Sequence, residues 1–168
     1  MEELRLQEIL ASVRASIDNP NAGLPEDVFL FISALTPLVN VDLLIRDRNG
    51  RVLLAWRDDP YYECGWHVPG GILRYQESLE ERLQKTAEHE LGCRVDVEQP
   101  RLDVVELIHP GQKHRGHFLT FIYACRLPDH WDIQQQPQSP GEPGHLEWHN
   151  TFPKNMIPVH SFYSKYFS

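Results

Sequence analysis

Apolar and polar positions in the first third of the chain predict two helices followed by a β-hairpin. In EELRLQEILASVRAS the apolar residues recur near helical spacing, and the turn-rich DNPNAG follows, so an N-terminal helix and a loop are expected. A second short helix is predicted to begin at Pro25, beside acidic residues, and to end before Pro37. The alternating run LVNVDLLI then turns at Asn49-Gly50 and returns through VLLAWR, which is the strongest local signal for a hairpin.

The pattern in the rest of the chain predicts more strands and a C-terminal helix. Residues 58–64 are expected to form a polar loop, and the β-rich runs 101–109 and 117–127 to form a second strand pair around the loop PGQKHRG. Residues 128–144 are rich in Pro, Gln and Gly and should form a long surface loop. A short strand is predicted at HLEWH, and a helix begins near Pro158. Helices before, within and after these strands indicate a layered α/β domain.

The length and charge of the chain limit the classes of protein to which it can belong. Its 168 residues suffice for one domain with a substantial core, and 41% of them are apolar, as in ordinary globular proteins. The net charge of −8 and the lack of a Lys/Arg cluster argue against a nucleic-acid-binding surface. No apolar run is long enough to cross a membrane, and the acidic start is unlike a signal peptide, so a cytoplasmic protein is expected. The three scattered cysteines fit neither a disulfide framework nor a metal cluster.

The stretch GWHVPGGILRYQESLEERLQKTAEHELGC predicts one helix with defined ends. Ser78 is a suitable N-cap because Glu81 follows three residues later and completes a capping box, and Gly92 is a suitable C-terminal cap. On the polar face, Glu81 and Lys85 have the spacing of an i,i+4 ion pair. Four apolar residues recur on the opposite face and should pack on the sheet: Leu79, Leu83, Ala87 and Leu91.

Glu90 has a position that a solvated helix surface does not explain. It lies in the last helical turn, where the negative end of the helix dipole disfavours a carboxylate, so a bound cation would relieve the placement. The glycines of VPGG let the backbone approach closely, and the carbonyl of Gly70 can then join Glu90 around a hard cation. A metal site with oxygen ligands and open coordination positions predicts Mg²⁺, or alternatively Mn²⁺, whose remaining positions are filled by phosphate oxygens of a substrate.

The same stretch resembles the Nudix box of the Nudix hydrolase family. Gly71, Glu77, Glu90 and Gly92 stand in the register of that box. Three other box positions, an arginine and two glutamates, are replaced by Lys85, Thr86 and His89. These departures, together with TPLVNVDLLI, LLAWR, GWHVPGG, ESLE and ELG in the same order, are similar to the GDP-mannose mannosyl hydrolase branch. The resemblance is close over residues 25–95 and looser to about residue 150.

The resemblance implies a Nudix-type α/β/α sandwich with a mixed β-sheet between helices. Residues 1–24 would form an N-terminal helix and loop extension, and residues 25–168 the Nudix hydrolase domain. It also implies a Mg²⁺ ion held by the carbonyl of Gly70, by Glu90 and by Glu142.

The resemblance further assigns three side chains to a nucleotide-sugar site. Asp42 and Arg57 match residues of that site in the branch, and the two-pronged guanidinium of an arginine suits a diphosphate. For Asp42, a structural partner within the protein is an equal alternative. Lys85 is placed with the substrate-binding residues, and Glu77 is expected to pair with Lys85 as structural support.

Two departures from the branch bear on mechanism. Ile72 stands where the branch has an arginine, and Pro143 stands where it has the histidine that acts as general base. Proline cannot accept a proton, so another base must act within reach of the attacking water. His145 is the first candidate because a small loop shift would substitute it, and Glu142 and His89 are the others.

The function implied by the resemblance is hydrolysis of a GDP-mannose-like nucleoside diphosphate sugar by attack of water at the anomeric carbon. Two alternatives stay open: a pyrophosphatase that attacks phosphorus, and a Nudix domain that binds a nucleotide without turnover. The nucleobase and the sugar are not specified by the sequence. The branch also implies a homodimer formed through the N-terminal segment, and the apolar run Phe29 to Ile32 suits such an interface.

Overall fold

The computed structural model describes residues 2–167 and confirms the predicted α/β architecture. The helices are α1 (Glu2–Ala15), α2 (Glu26–Ser33) and α3 (Leu79–Leu91), and two 3₁₀ segments span Ile133–Gln135 and Pro158–Tyr166. The strands are β1 (Leu38–Ile45), β2 (Val52–Asp59), β3 (Tyr62–His67), β4 (Gly70–Ile72), β5 (Asp96–Val97), β6 (Asp103–Ile108), β7 (His117–Arg126) and β8 (Leu146–His149).

The strands form two sheets. A mixed five-stranded sheet has the order β4-β1-β7-β5, and β6 pairs with β7 as well. Within it β1 and β7 run parallel, and the other pairs are antiparallel. An antiparallel three-stranded sheet has the order β3-β2-β8.

The predicted hairpin of β1 and β2 is wrong, although its turn is present. Gly50 adopts a φ of +79°, and the carboxylate of Asp47 accepts hydrogen bonds from the backbone N–H groups of Asn49 and Arg51, each at 2.9 Å. Beyond a single bridge from Arg46 the strands separate, because β1 pairs with β4 and β7 while β2 pairs with β3 and β8. A turn signal therefore predicted the chain reversal correctly and the strand partners incorrectly.

The polar loop predicted at residues 58–64 is also wrong. β2 continues to Asp59 and β3 begins at Tyr62, so only a tight turn separates them, in which the Asp59 carboxylate accepts a hydrogen bond from the Tyr61 N–H at 2.9 Å. The predicted pair of β6 and β7, the long loop of residues 128–144 and the short strand β8 are confirmed. The C-terminal helix is present as the 3₁₀ segment from Pro158.

α3 has the predicted ends. Ser78 and Glu81 form the reciprocal capping box, and Gly92 ends the helix with a φ of +69°. The Glu81 carboxylate accepts from the Ser78 N–H and hydroxyl at 2.8 Å, whereas Lys85 contacts Glu77, so the i,i+4 pair of Glu81 and Lys85 is wrong.

Buried side chains form two clusters that give the molecule its layers. Leu83 and Leu91 of α3 enter one cluster, and Tyr163 of the C-terminal segment enters the other. Successive residues of β1, such as Leu43 and Leu44, belong to opposite clusters because strand side chains alternate between faces. The β-structure therefore lies between α3 and the C-terminal 3₁₀ segment.

α1 stands apart from this core. Every side chain from Glu3 to Ser12 is exposed, and the exposed fractions of its large apolar residues lie between 47% and 64%. Within the described residues, no helix combines the length and apolar character that crossing a membrane requires.

Candidate active site

A cavity of about 930 Å³ opens at the junction of the two sheets, α2, α3 and the β6–β7 loop. Its walls carry acidic, basic and aromatic side chains together, and its volume is in the range of ligand-binding cavities. The charged and titratable residues that line it include Asp42, Arg57, Asp59, His67, Arg74, Arg82, Lys85, His89, Glu90, His109, Arg115 and His160.

Gly70 and Glu90, the two predicted metal-binding residues of the box region, both line this cavity. β4 brings Gly70 alongside Asp42 of β1, and a side chain at Gly70 would collide with the Asp42 carboxylate. Glu90 reaches the cavity from the last turn of α3, and its Oε2 lies 3.7 Å from Nε2 of His67. Three separate elements thus direct polar groups to one place.

Asp42 is the most deeply buried acid of the cavity. Its exposed fraction is 1%, and its carboxylate accepts hydrogen bonds from the Tyr163 hydroxyl and, at 2.7 Å, from the Asn40 side-chain amide. Burial raises the pKa of Asp42 to about 7, although these hydrogen bonds and the neighbouring His67 lower it, and the Glu90 charge also raises it. The structural partners weighed for Asp42 are therefore present, and the side chain also faces the cavity.

Glu77 anchors the start of the box region to α3. Its buried carboxylate accepts a bidentate interaction from Arg82 at 2.7 and 3.0 Å, contacts Lys85 Nζ at 2.8 Å, and accepts from the Arg74 N–H at 3.0 Å. Burial by itself raises the pKa of Glu77, but the bonds from Arg82 and Lys85 outweigh it and lower that pKa to about 2. Lys85 lines the cavity while it contacts Glu77, and Arg82 is a partner that the sequence analysis missed.

The replaced box positions also face the cavity. Thr86 is buried beneath Gly71, and its hydroxyl oxygen has no hydrogen-bond partner among the described residues. His89 lies one position before Glu90 and is exposed at the cavity wall.

Glu142 and His145 are not brought to this group. The Glu142 carboxylate is exposed and accepts from the Ser139 N–H at 2.8 Å. The ring of His145 packs near Trp66, with Nδ1 3.2 Å from the Gln138 carbonyl oxygen. Pro143, between them in the chain, does line the cavity. The loop thus directs its backbone and the proline inward, and the two predicted polar side chains elsewhere.

Four histidines line the cavity instead: His67, His89, His109 and His160. Burial lowers the pKa of His160 well below its ordinary value, and its Nδ1 accepts from the Val68 N–H at 3.1 Å, so this ring is neutral. Nδ1 of His67 and Nε2 of His109 are buried without a hydrogen-bond partner in the described chain. His67 was overlooked in the sequence, although its place just before the Pro-Gly-Gly turn was a usable signal.

Two arginines form a separate, basic end of the cavity. Arg57 pairs with Asp59 through Nε and lies 4.7 Å from the centre of the Tyr62 ring. Arg115 comes from the β6–β7 loop, and its guanidinium carbon lies 4.5 Å from the centre of the Tyr61 ring. Arg57 was predicted, whereas Arg115 was hidden in the loop PGQKHRG, because only the folded chain brings that loop to β2.

The oxygen donors of the cavity fit a hard divalent cation. Within residues 2–167, no three His, Cys, Asp or Glu side chains are grouped as a complete metal-binding set. Mg²⁺ is commonly held by one or two carboxylates and shares its other positions with water and substrate phosphates. Glu90, the Gly70 carbonyl and the neighbouring Asp42 therefore suit an ion shared with a phosphorylated substrate rather than an ion enclosed by protein.

Comparison with known proteins identifies the family. A family model described as NUDIX domain matches residues 36–161. The Low-salt glycan biosynthesis protein Agl8 of Haloferax volcanii is 35% identical over 124 residues, which cover 71% of this chain and 78% of that protein.

Solved structures agree on the fold. The MutT protein from Methanosarcina mazei has a TM-score of 0.59 and 16% identity, over 79% of this chain and 92% of that chain. A UDP-X diphosphatase has a TM-score of 0.56 and 21% identity, over 96% of this chain and 74% of that chain. The resemblance of the box is thus confirmed by a family match over most of the chain, and the protein belongs to the Nudix hydrolase family.

Proposed function

We propose that this Nudix protein is a metal-dependent hydrolase of a nucleoside diphosphate sugar of the GDP-mannose kind, releasing nucleoside diphosphate and free sugar. The observation that carries the proposal is that one cavity holds oxygen donors for a cation, Glu90 and Gly70, and an arginine for a diphosphate, Arg57. A protein with a net charge of −8 needs such local positive charge to bind an anionic substrate.

The size of the cavity and one relative support a substrate of this class. About 930 Å³ accommodates a ligand with a base, a diphosphate and a sugar, since typical small-molecule sites span about 300–1,000 Å³. The relative that is 35% identical is named for glycan biosynthesis, which favours a substrate that contains a sugar.

Mg²⁺ or Mn²⁺ would be held by the Glu90 carboxylate and the Gly70 carbonyl, whereas Glu142, the third ligand proposed from the sequence, lies outside the cavity-lining residues. When bound, the ion would neutralise charge on the departing diphosphate. Arg57 binds the diphosphate through its guanidinium. Asp42 lies beside Gly70 and orients the substrate, and Lys85 neutralises substrate charge from α3.

Attack at carbon requires a base near the anomeric centre, whereas attack at phosphorus requires it near the diphosphate. His145 is the base proposed from the sequence, and the cavity itself presents His67, His89 and His109. Because Pro143 replaces the expected histidine, either route needs another base, and the pyrophosphatase that attacks phosphorus is the alternative.

A screen of nucleoside diphosphate sugars in water enriched in heavy oxygen tests the function and the route together. Each substrate is incubated with Mg²⁺ and with a chelator, and both products are analysed by mass spectrometry. We expect metal-dependent turnover with the label in the sugar. Label found only in phosphate identifies the pyrophosphatase instead, and no metal-dependent turnover with any substrate contradicts both enzymatic routes.

A further inference from the structure

Arg115 has a fixed position and an incompletely satisfied guanidinium. Its Nε is buried and has no hydrogen-bond partner among the described residues. The backbone is held at both sides, because the Arg115 N–H donates to the Ser33 hydroxyl and the Tyr62 hydroxyl donates to the Arg115 carbonyl, each at 3.2 Å. Its φ of +54° is uncommon for a residue with a side chain, so the surrounding contacts hold the residue in this conformation.

Aromatic rings surround the guanidinium without providing an acceptor for its N–H groups. The guanidinium carbon lies 4.5 Å from the Tyr61 ring centre, 5.8 Å from that of Tyr62 and 5.9 Å from that of Phe29. Cation–π contacts of this kind orient a guanidinium, but they leave its in-plane donors free for an anion. The side chain is therefore oriented before any ligand binds.

At this end of the cavity, no carboxylate of the described residues forms an ion pair with Arg115. Asp59 pairs with Arg57 and accepts from the Tyr61 N–H, so its carboxylate is already engaged. Burial lowers the pKa of Arg115, and repulsion from Arg57 lowers it further. Glu26 and Asp58 also line the cavity, and Glu26 accepts a hydrogen bond from the Tyr61 hydroxyl at 2.6 Å. Arg115 therefore keeps donors that can bind a multiply charged anion together with Arg57.

We propose that Arg115 binds the diphosphate of the substrate together with Arg57, as a positioning residue in the β6–β7 loop. This inference rests on the proposed function, because the diphosphate is the anion that such a substrate carries. The contact also explains why the loop from Pro110 to Gly116 reaches back to β2 and β3: it brings a charge to a site that lacks the arginine expected at Ile72.

Binding measurements on metal-free protein test Arg115 without relying on turnover. Affinities for GDP, pyrophosphate and guanosine are measured by calorimetry in the presence of a chelator, for the wild type and for Arg115→Gln. Loss of a charge-assisted contact should lower the affinities for GDP and pyrophosphate by about tenfold or more and leave the affinity for guanosine unchanged. A merely structural role would change all three or none.

Arg101→Gln is the matched control, since Arg101 is exposed and lies 5.5 Å from the Phe121 ring centre, outside the residues that line the cavity. Its affinities should stay within about twofold of the wild type. Arg115→Lys retains the charge but loses the bidentate geometry of the guanidinium. It should therefore lower the affinity for GDP by less than the glutamine variant does. Should the glutamine variant fail to fold, the lysine variant decides: an unchanged GDP affinity overturns the proposal.

The outcomes separate this inference from the proposed function. Equal GDP and pyrophosphate affinities in wild type and Arg115→Gln overturn the role of Arg115, even where the wild type hydrolyses a nucleoside diphosphate sugar. Absence of GDP and pyrophosphate binding by the wild type overturns it as well. If GDP binding depends on Arg115 but no sugar nucleotide is hydrolysed, the role of Arg115 in diphosphate binding is supported. Only the proposed hydrolase activity is then contradicted.

Discussion

Polar side chains in and beside the cavity differ in whether the protein itself supplies their hydrogen-bond partners. Glu77 is enclosed by two basic side chains and a backbone N–H, so its charge is satisfied before any ligand arrives. Arg115 Nε, His67 Nδ1 and the Thr86 hydroxyl are buried without partners in the described chain. Buried polar groups are generally hydrogen-bonded, so these three atoms mark where a ligand, an ion or water is to be expected.

Replacement of Glu90 by Gln is expected to abolish metal-dependent hydrolysis. The change removes the anionic donor while it preserves shape, so kcat/KM with Mg²⁺ should fall by about a hundredfold or more. Glu88→Gln is the control, because Glu88 is exposed on the same helix. Mg²⁺ binding by calorimetry should be lost in parallel. If the wild type turns over no nucleotide sugar and the variant keeps the same ligand affinity, the non-catalytic alternative is supported.

His67 and His145 provide a paired test of the base assignment. His67 contacts Glu90 at 3.7 Å, and substitution of a residue behind a metal ligand commonly costs about 10–100-fold in activity. His67→Gln should therefore reduce kcat/KM by about tenfold or more. His145→Gln should change it by less than about fivefold, because the His145 ring lies outside the cavity-lining residues. A loss of about a hundredfold in His145→Gln would instead support the base proposed from the sequence.

At the scale of elements, α3 and β4 together build the half of the cavity that is proposed to bind the cation. The capping box and Gly92 set the length of α3, and that length places Glu90 in the last turn. The pairing of β4 with β1 brings Gly70 beside Asp42. Glu77, just before α3, ties this helix to the segment that follows β4. The positions at which α3 and β4 begin and end therefore determine that the oxygen atoms of Glu90, Gly70 and Asp42 face the same cavity.

Glu77→Gln is expected to destabilise the fold and to remove part of its acid sensitivity. The pKa of Glu77 is lowered from 4.5 to about 2, so its stabilising effect is complete above about pH 4.5 and is lost as the pH falls towards 2. That shift corresponds to a free energy of unfolding on the order of 3 kcal/mol. Urea denaturation should show a large decrease in the free energy of unfolding of the variant, relative to the wild type, at pH 7 and a smaller decrease at pH 3.

Glu80→Gln is the control for this measurement, because Glu80 is exposed in the first turn of the same helix. It should change stability by less than about 0.5 kcal/mol at either pH. An equal loss of stability at pH 7 and pH 3 in Glu77→Gln would contradict the assignment of the acid-labile contribution to this carboxylate.

At the scale of the whole molecule, the layered core and α1 are energetically separate. The core clusters contain residues from the two sheets, α3 and the C-terminal segment, and none from α1. The apolar residues of α1 are exposed instead. Helices of this length are marginal in water without tertiary contacts, so α1 needs a partner to contribute stability.

Removal of residues 1–15 is expected to leave the monomer stable. The thermal midpoint at low protein concentration should change by less than about 3 °C, because no core contact is lost. Light scattering after size exclusion tests the proposed homodimer in the same samples. A dimeric full chain and a monomeric truncated chain support assembly through the N-terminal segment, whereas a large loss of stability in a monomer contradicts the separation of α1 from the core.

The predictability of this site follows from the range of the interactions involved. The ends of α3 were predictable because a capping box and a terminal glycine act between neighbouring residues. The register of Glu90 with Gly70 was predictable from the resemblance to the box. Arg115 was not predictable, because it reaches the cavity only when the β6–β7 loop packs on Tyr62, 53 residues away in the chain.

The sequence by itself determined the helices, five of the eight strands of the described chain (β1, β2, β6, β7 and β8) and the Nudix box, since periodicity, caps and turns depend on local chemistry. Tertiary structure alone decided that β1 and β2 enter different sheets, that the side chains of Glu142 and His145 lie away from the cavity, and that His67 and Arg115 face it. Strand pairing and burial are settled by competition among distant segments for the same core. No local pattern in the sequence records the outcome of that competition.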